Sequence, residues 1–233
     1  MNLRGAIPEF IHISHGKMHD VRVLDLLLPM PGACYVMDRG YLDFARLYAL
    51  HQAKAFFVTR AIASQKLTRR YSNPVDKTTG LQCDQTVVLT GPLSKQKYPE
   101  PLRRIKFYEV KNDKRLIFLT NDFEQSALTI ALLYKSRWDI EEFFKWIKQH
   151  LRIKSFFGTS ENAVKTQIWT AVAAYVLIAI IKKRMALDQS LYRILQILSL
   201  VLFDKRPILQ VFSEPFYNSK KPDDCNSLPL FNF

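Results

Sequence analysis

Residues 134–150 read YKSRWDIEEFFKWIKQH, mixing carboxylates, cations and large aromatics in one stretch of helical period. With Arg137 set at zero and about 100° per residue, Lys148 falls near ~20°, Glu141 near ~40°, Tyr134 near ~60° and Lys145 near ~80°. These five residues form one stripe if the helix is continuous. Ile140, Phe143, Phe144, Ile147 and Leu151 centre roughly 100° away, on a face suited to a core. A carboxylate flanked by a phenol and three cations can hold a divalent metal while the cations and phenol grip phosphates beside it. The same spacing also serves a solvated helix, where Glu141 and Lys145 are an ordinary i,i+4 pair. The residues alone leave both readings open.

Working outward, the segment upstream alternates strand and helix patterns. Residues 9–14 (EFIHIS) alternate as a strand does. Asp20 is placed to cap a helix over 21–28, which Pro29, Pro31 and Gly32 end. Cys34–Met37 is a short apolar run suited to a buried strand, with Asp38-Arg39-Gly40-Tyr41 at its end. Residues 42–53 have helical period and 55–59 read as a strand. The next sixty residues are β-rich, with strands expected near 85–90, 104–110 and 114–120 and a hairpin turn at Lys111-Asn112-Asp113. Beyond them the pattern is helical, over about 124–150, 160–187 and 190–203, with Ser160 and Glu161 as a start signal. The tail from Pro215 to Phe233 is polar and rich in proline.

The 233 residues carry 34 Lys and Arg against 21 Asp and Glu, a net charge of +13. That excess favours a polyanionic partner, nucleic acid above all. Cys34, Cys83 and Cys225 are three, widely spaced and without a CxxC pair, which argues against a disulfide framework or a zinc site. The most apolar run, Ile168–Ile181, has 14 residues where a membrane span needs about 20. It reads as a buried core helix, and no membrane association is expected. No signal peptide is legible at the start. His15 and His19 are four apart, but the intervening Gly16 favours a loop over a metal pair. Lys66, Arg69 and Arg70, and Lys95, Lys97, Arg103, Arg104 and Lys106, form basic clusters suited to a phosphate backbone or to solvated loops. Nothing supports nucleotide hydrolysis or serine chemistry, since no Gly-rich phosphate loop or GxSxG is present.

Tyr134, Arg137, Glu141 and Lys148 fit the spacing Y-(2)-R-(3)-E-(6)-K in full. This resembles the signature of the insertion-sequence-four (IS-four) family of DDE transposases. Val36-Met37-Asp38-Arg39-Gly40-Tyr41 resembles that family's second acidic motif. The resemblance implies an α/β, RNase H-like mixed sheet with helices on both faces, interrupted by a β-rich insertion. It divides the chain into a partial catalytic core over 1–59, the insertion over 60–121, the helical part of the core over 122–205 and a tail over 206–233. It makes Asp38 and Glu141 catalytic, metal-binding carboxylates for Mg²⁺ or Mn²⁺. Tyr134, Arg137, Lys148 and Lys145 become contacts to DNA, and Trp138 or Trp146 could stack on a displaced base.

A DDE site needs a third carboxylate on the first strand of the sheet. Upstream of Asp38 only Glu9, Asp20 and Asp25 are available, and none has the position of a central-strand residue. The expectation is therefore an N-terminally truncated transposase that lacks its first Asp and, alone, cuts little. The function implied is Mg-dependent DNA cleavage and strand transfer at insertion-sequence ends. The alternative is a non-catalytic DNA-binding or oligomerising fragment that inhibits the full-length enzyme. Partners implied are the terminal inverted repeats, target DNA, and a homodimer or full-length transposase, in a bacterial cytoplasm and on the nucleoid when bound.

Overall fold

The computed structural model describes residues 1–2, 7–14, 18–62, 64–151, 153 and 155–213. The chain divides into two compact units, Met1–Thr166 and Gln167–Phe233. His15, Cys225 and the tail from Pro215 lie outside the described residues.

The first unit is built on one mixed six-stranded sheet of order β1-β2-β6-β5-β4-β3. Its strands are β1 (Cys34–Met37), β2 (Phe56–Arg60), β3 (Leu67–Asn73), β4 (Leu81–Leu89), β5 (Leu102–Glu109) and β6 (Lys114–Thr120). The β1–β2 pair is parallel, with Val36 opposite Val58. Every other pair is antiparallel. A parallel pair needs a crossover, and helix α1 (Phe44–Gln52) supplies it, capped by the Asp43 carboxylate on the Arg46 N–H. The β-rich segment is not a separate sheet. Its last strand, β6, pairs with β2 through Val58–Thr120, Thr59–Leu119 and Arg60–Phe118.

Side chains alternate between the two faces of the sheet. One face carries Met37, Phe57, Leu119, Leu102, Val87 and Leu89, which pack with Leu47 and Leu50 of α1 and with Tyr98. Tyr98 follows the short helix α2 (Pro92–Lys97), and its hydroxyl lies 2.6 Å from His51 Nδ1. The other face carries Val58, Ile105, Phe107 and Phe118 under helix α3 (Ala127–Lys135). Leu47, Phe57, Leu102, Ile105, Phe118 and Ile130 are fully buried, each worth roughly 1.5–3 kcal/mol on area grounds. This is the α/β, RNase H-like architecture with helices on both faces.

A polar knot joins β6 to α3. Asn121 extends the sheet with its side chain, accepting the Phe57 N–H at 2.9 Å and donating to the Ala55 carbonyl at 2.9 Å. The Asp122 carboxylate accepts the Glu124 and Gln125 N–H groups. Arg103 holds the Asp84 carboxylate in a fork, Nε to Oδ1 at 2.8 Å and Nη2 to Oδ2 at 2.9 Å. Its Nη1 donates to the Asp122 and Gln125 carbonyls. The pair is nearly inaccessible, 7% and 6% exposed. Arg103 is thus structural and is not a surface contact for a polyanion.

Several expectations are corrected. Residues 9–14 form no strand, and alternation alone could not provide a pairing partner. Residues 20–26 form a 3₁₀ helix, preceded by His19 with no side-chain cap. The Lys66–Arg70 cluster lies mostly on β3, whose side chains are almost all exposed. The helix over 124–150 is interrupted: α3 ends at Lys135 and α4 spans Trp138–His150. Gly80 holds φ +91°, and a Cβ there would lie 2.8 Å from the Tyr108 carbonyl oxygen, so this turn requires glycine.

The chain crosses into the second unit along α5 (Glu161–Arg184), followed by α6 (Leu191–Val201) and α7 (Ile208–Ser213). Helix α5 is long and apolar enough to cross a membrane by length and composition, with 28% of its most apolar stretch buried. Ala171, Val172, Tyr175, Ile178 and Ala179 form its buried stripe at helical spacing. The expected core helix is therefore buried on that stripe, while Trp169 and Leu177 are exposed.

Removing one partner of the Arg103–Asp84 pair strands a buried charge. Arg103→Ala is expected to cost about 3–5 kcal/mol in urea unfolding. The double change Arg103→Met with Asp84→Leu should cost clearly less than that single. Equal costs would mean that the pair is not acting as a unit.

Candidate functional site

Asp38 sits immediately after β1, on the sheet face shared by Cys34 and Val36 and covered by α3. It caps the 3₁₀ turn Arg39–Tyr41, its Oδ1 accepting the Arg39 N–H at 2.7 Å. Thr59 Oγ1 donates to the Asp38 carbonyl at 3.3 Å. Strand end, turn and cap together fix the direction of this carboxylate.

Tyr134 closes the site from α3. Only 6% exposed, it stacks on Phe118 with ring centroids 4.7 Å apart. Its hydroxyl donates to Asp38 Oδ1 at 3.2 Å. Burial beside the Asp38 charge pushes the phenol up to about 12, so it is a hydrogen-bond donor at neutral pH. Tyr134 therefore does not join an exposed stripe with Glu141 and the lysines. The reason lies in the joint between α3 and α4. There the Ser136 N–H reaches both Leu132 and Leu133, and Arg137, Asp139 and Ile140 donate to carbonyls three residues back. A 3₁₀ stretch advances ~120° per residue instead of ~100°. The overwinding turns α4 out of phase with α3.

Arg137 stands at this joint. Its Nη2 donates to Glu141 Oε1 at 2.8 Å, and its guanidinium lies 5.8 Å from the Tyr134 ring centroid. Its Nε is buried and makes no hydrogen bond among the described residues. Burial opposes its charge, but the Glu141 hydrogen bond and the charges of Asp38 and Glu141 raise its pKa. For Asp38, burial favours the neutral acid. The Arg39 N–H, Arg137, the Tyr134 hydroxyl and Arg60 outweigh it and hold the carboxyl below its ordinary value.

The structure thus brings Asp38, Tyr134, Arg137 and Glu141 into one electrostatic group. Arg60, at the end of β2, was not picked out from the sequence. It lies on the same sheet face and acts on both Asp38 and Tyr134. A cation ending the strand beside the Asp38 strand was the available signal. Lys145 and Lys148 lie about one and two turns beyond Glu141, both exposed, with Lys145 3.6 Å from Glu142. Trp138 is 57% exposed at the start of α4, and Trp146 is half-buried beside His150.

Among the described residues no three His, Cys, Asp or Glu side chains converge. Asp25 is taken by Arg46, with two bonds of 2.7 Å. Glu9 accepts from Asn2. Asp20 and Asp38 both act on the half-buried Tyr41 hydroxyl. Asp38 and Glu141 share Arg137 as a counter-ion, Glu141 through a direct hydrogen bond and Asp38 through its charge. Their hard oxygen donors suit Mg²⁺ or Mn²⁺, which typically bind through one or two carboxylates with water and substrate phosphate.

Comparison with known proteins identifies the family of the chain. The family described as transposase DDE domain matches residues 1–177. The chain is 34% identical over 214 residues to y4zB of Sinorhizobium fredii, a protein named as a transposase, covering 91% of this chain and 60% of that one. It is 34% identical over 175 residues to a protein of Geobacillus stearothermophilus named as the transposase of insertion sequence element IS5377, covering 74% and 45%. A Synechocystis protein, named for insertion sequence element IS4SA, is 26% identical over 190 residues, covering 78% and 51%. The chain thus spans about half of the length of these relatives. With the family match extending over most of its residues, the chain belongs to the DDE transposases, of the IS4-like insertion-sequence kind.

Proposed function

We propose that this chain supplies part of the active site for Mg-dependent DNA cleavage and strand transfer at insertion-sequence ends. The observation that carries this reading is the Tyr134–Asp38 hydrogen bond, which closes the signature helices onto the carboxylate at the end of β1. Asp38 and Glu141 are the metal-binding pair, and both are catalytic. Divalent ions held there, when bound, activate the attacking oxygen and stabilise the leaving oxygen of the phosphodiester. Arg137 holds Glu141 and offsets the charge of both carboxylates. Tyr134 orients Asp38, and Arg60 adds positive charge where a phosphate would approach. Lys145 and Lys148 are placed to hold the DNA backbone further along α4. Water attack would release a 3′-hydroxyl, and that hydroxyl would attack a target phosphodiester, each step exchanging one P–O bond for another.

The DNA partners are the inverted repeats of the element and its target. A homodimer or a longer transposase chain is the protein partner, and the bacterial cytoplasm and nucleoid are the setting. A second reading rests on there being, among the described residues, no group of three ligating side chains. A site short of one charged ligand holds its cation weakly, so by itself the chain is a DNA-binding, oligomerising inhibitor of the longer enzyme.

With Mn²⁺ and DNA bearing the element's ends, this chain alone is expected to give no nicking above background. Efficient nicking that disappears in Glu141→Ala would show that two carboxylates suffice. Tyr134→Phe keeps the ring on Phe118 and removes the donor to Asp38. It should cost about 1 kcal/mol of stability and weaken Mn²⁺ binding roughly 10-fold or more. Unchanged Mn²⁺ affinity, read by the loss of the free-ion resonance signal, would remove Tyr134 from the ligand's support.

A further inference from the structure

The faces of the outer sheet differ in charge. Strand register puts Arg104, Lys106 and Arg115 on one face of β5 and β6, with Gln85, Cys83, Ile117 and Tyr108 around them. Arg69 of the edge strand β3 projects from the same face. No carboxylate from strands β3–β6 shares it, because Asp84 and Glu109 both fall on the opposite face. There each carboxylate is matched: Asp84 by Arg103, and Glu109 by Lys135 at 3.2 Å with Lys114 directly opposite in register. Of the cations on the first face, Arg69 and Arg115 are exposed, and Arg104 and Lys106 are half-buried. Arg104 Nη1 donates to the uncharged Gln85 Oε1 at 2.9 Å. Asp113, in the β5–β6 turn, accepts the Tyr108 hydroxyl at 2.8 Å.

Interspersed charges of both signs are the ordinary way to keep a sheet face soluble. Here the carboxylates are confined to one face, while cations stand on both. The helix cover explains part of the sorting, since α1 and α2 pack only on the apolar rows through Leu119, Leu102 and Val87. Beyond those rows Arg69 and Arg115 are exposed and Arg104 and Lys106 half-buried, with no carboxylate of β3–β6 on their face. Residues i and i+2 on a strand are about 6.8 Å apart, so Arg104 and Lys106 present charge at a regular interval. The turn around Gly80, with Lys77 and Gln82 beside Tyr108, borders the same end of the sheet in a shallow depression.

We propose that this face, centred on Arg104, Lys106 and Arg115, is a docking platform for the phosphate backbone of duplex DNA. It rests on the reading that the chain acts on DNA, and assigns that contact to a surface separate from Asp38 and Glu141. Contacts of this type position the duplex without reading its sequence. The platform therefore adds affinity equally on element ends and on unrelated DNA.

The test is fluorescence anisotropy with a labelled duplex across a salt series, using the whole chain. Lys106→Gln with Arg115→Gln should lower the slope of log affinity against log salt by about 1.8, at ~0.9 for each phosphate no longer neutralised. The size of the change should be the same on random duplex and on element ends. Lys114→Gln with Lys135→Gln removes the same charge from the opposite face and should leave the slope unchanged. Arg115→Gln alone, at an exposed position, gives half of the effect and guards against misfolding of the double variant. Equal decreases from the two double variants, or no change from Lys106→Gln with Arg115→Gln, would overturn the platform while leaving the DNA reading intact. Absence of any duplex binding at low salt would sink both.

Discussion

The buried polar knot between β6 and α3 is the constraint on which the rest of the first unit depends. The chain must leave a six-stranded sheet and lay a helix across it within a few residues. Burial of so many backbone groups is tolerable only if each is hydrogen-bonded. Asn121 does this by acting as an additional rung of the ladder, bonded to both Ala55 and Phe57. Asp122 caps the turn, and Arg103 ties two of its carbonyls to Asp84 on β4. Four strands (β2, β4, β5 and β6) and one helix are thereby fixed relative to one another. A charge pair in such a place is a weak source of net stability but a strong one of specificity if broken geometry leaves charges alone.

Fixing α3 fixes Tyr134, and Tyr134 fixes Asp38. The site is therefore assembled from opposite ends of the unit: a strand end, a neighbouring strand end carrying Arg60, and two helices meeting at Arg137. Positive groups surround the carboxylates closely enough to keep Asp38 ionised despite its partial burial. That balance suits a place where phosphates and a cation meet, because the charge of each has a counterpart waiting nearby.

Much of this was legible in the sequence where a local pattern carried it. The apolar run Cys34–Met37 and the strand at 114–120 were readable because buried strands concentrate branched and aromatic residues. The motif residues were readable from their spacing. Strand β3 was not, since its side chains are exposed almost throughout and it is held by ladder bonds to β4 instead of by burial. Residues 9–14 misled for the opposite reason: alternation without a partner is not a strand. The Tyr134–Asp38 bond spans 96 positions, and no local period encodes a contact of that range. Nor could composition show that Arg103 is buried while its neighbour Arg104 faces outward. That distinction depends on register, and register is set by the pairing of whole strands.

The joint at Ser136–Arg137 has a mechanical meaning. Hydrogen bonds to the third residue back have poorer geometry than those of an α-helix, so this turn is the most compliant point of the signature. Everything before it, including Tyr134, is clamped to the sheet by Phe118 and the core. Everything after it, including Glu141, belongs to α4, which packs through Phe143 and Ile147. The phase of this one joint thus decides on which side of α4 Glu141 is presented.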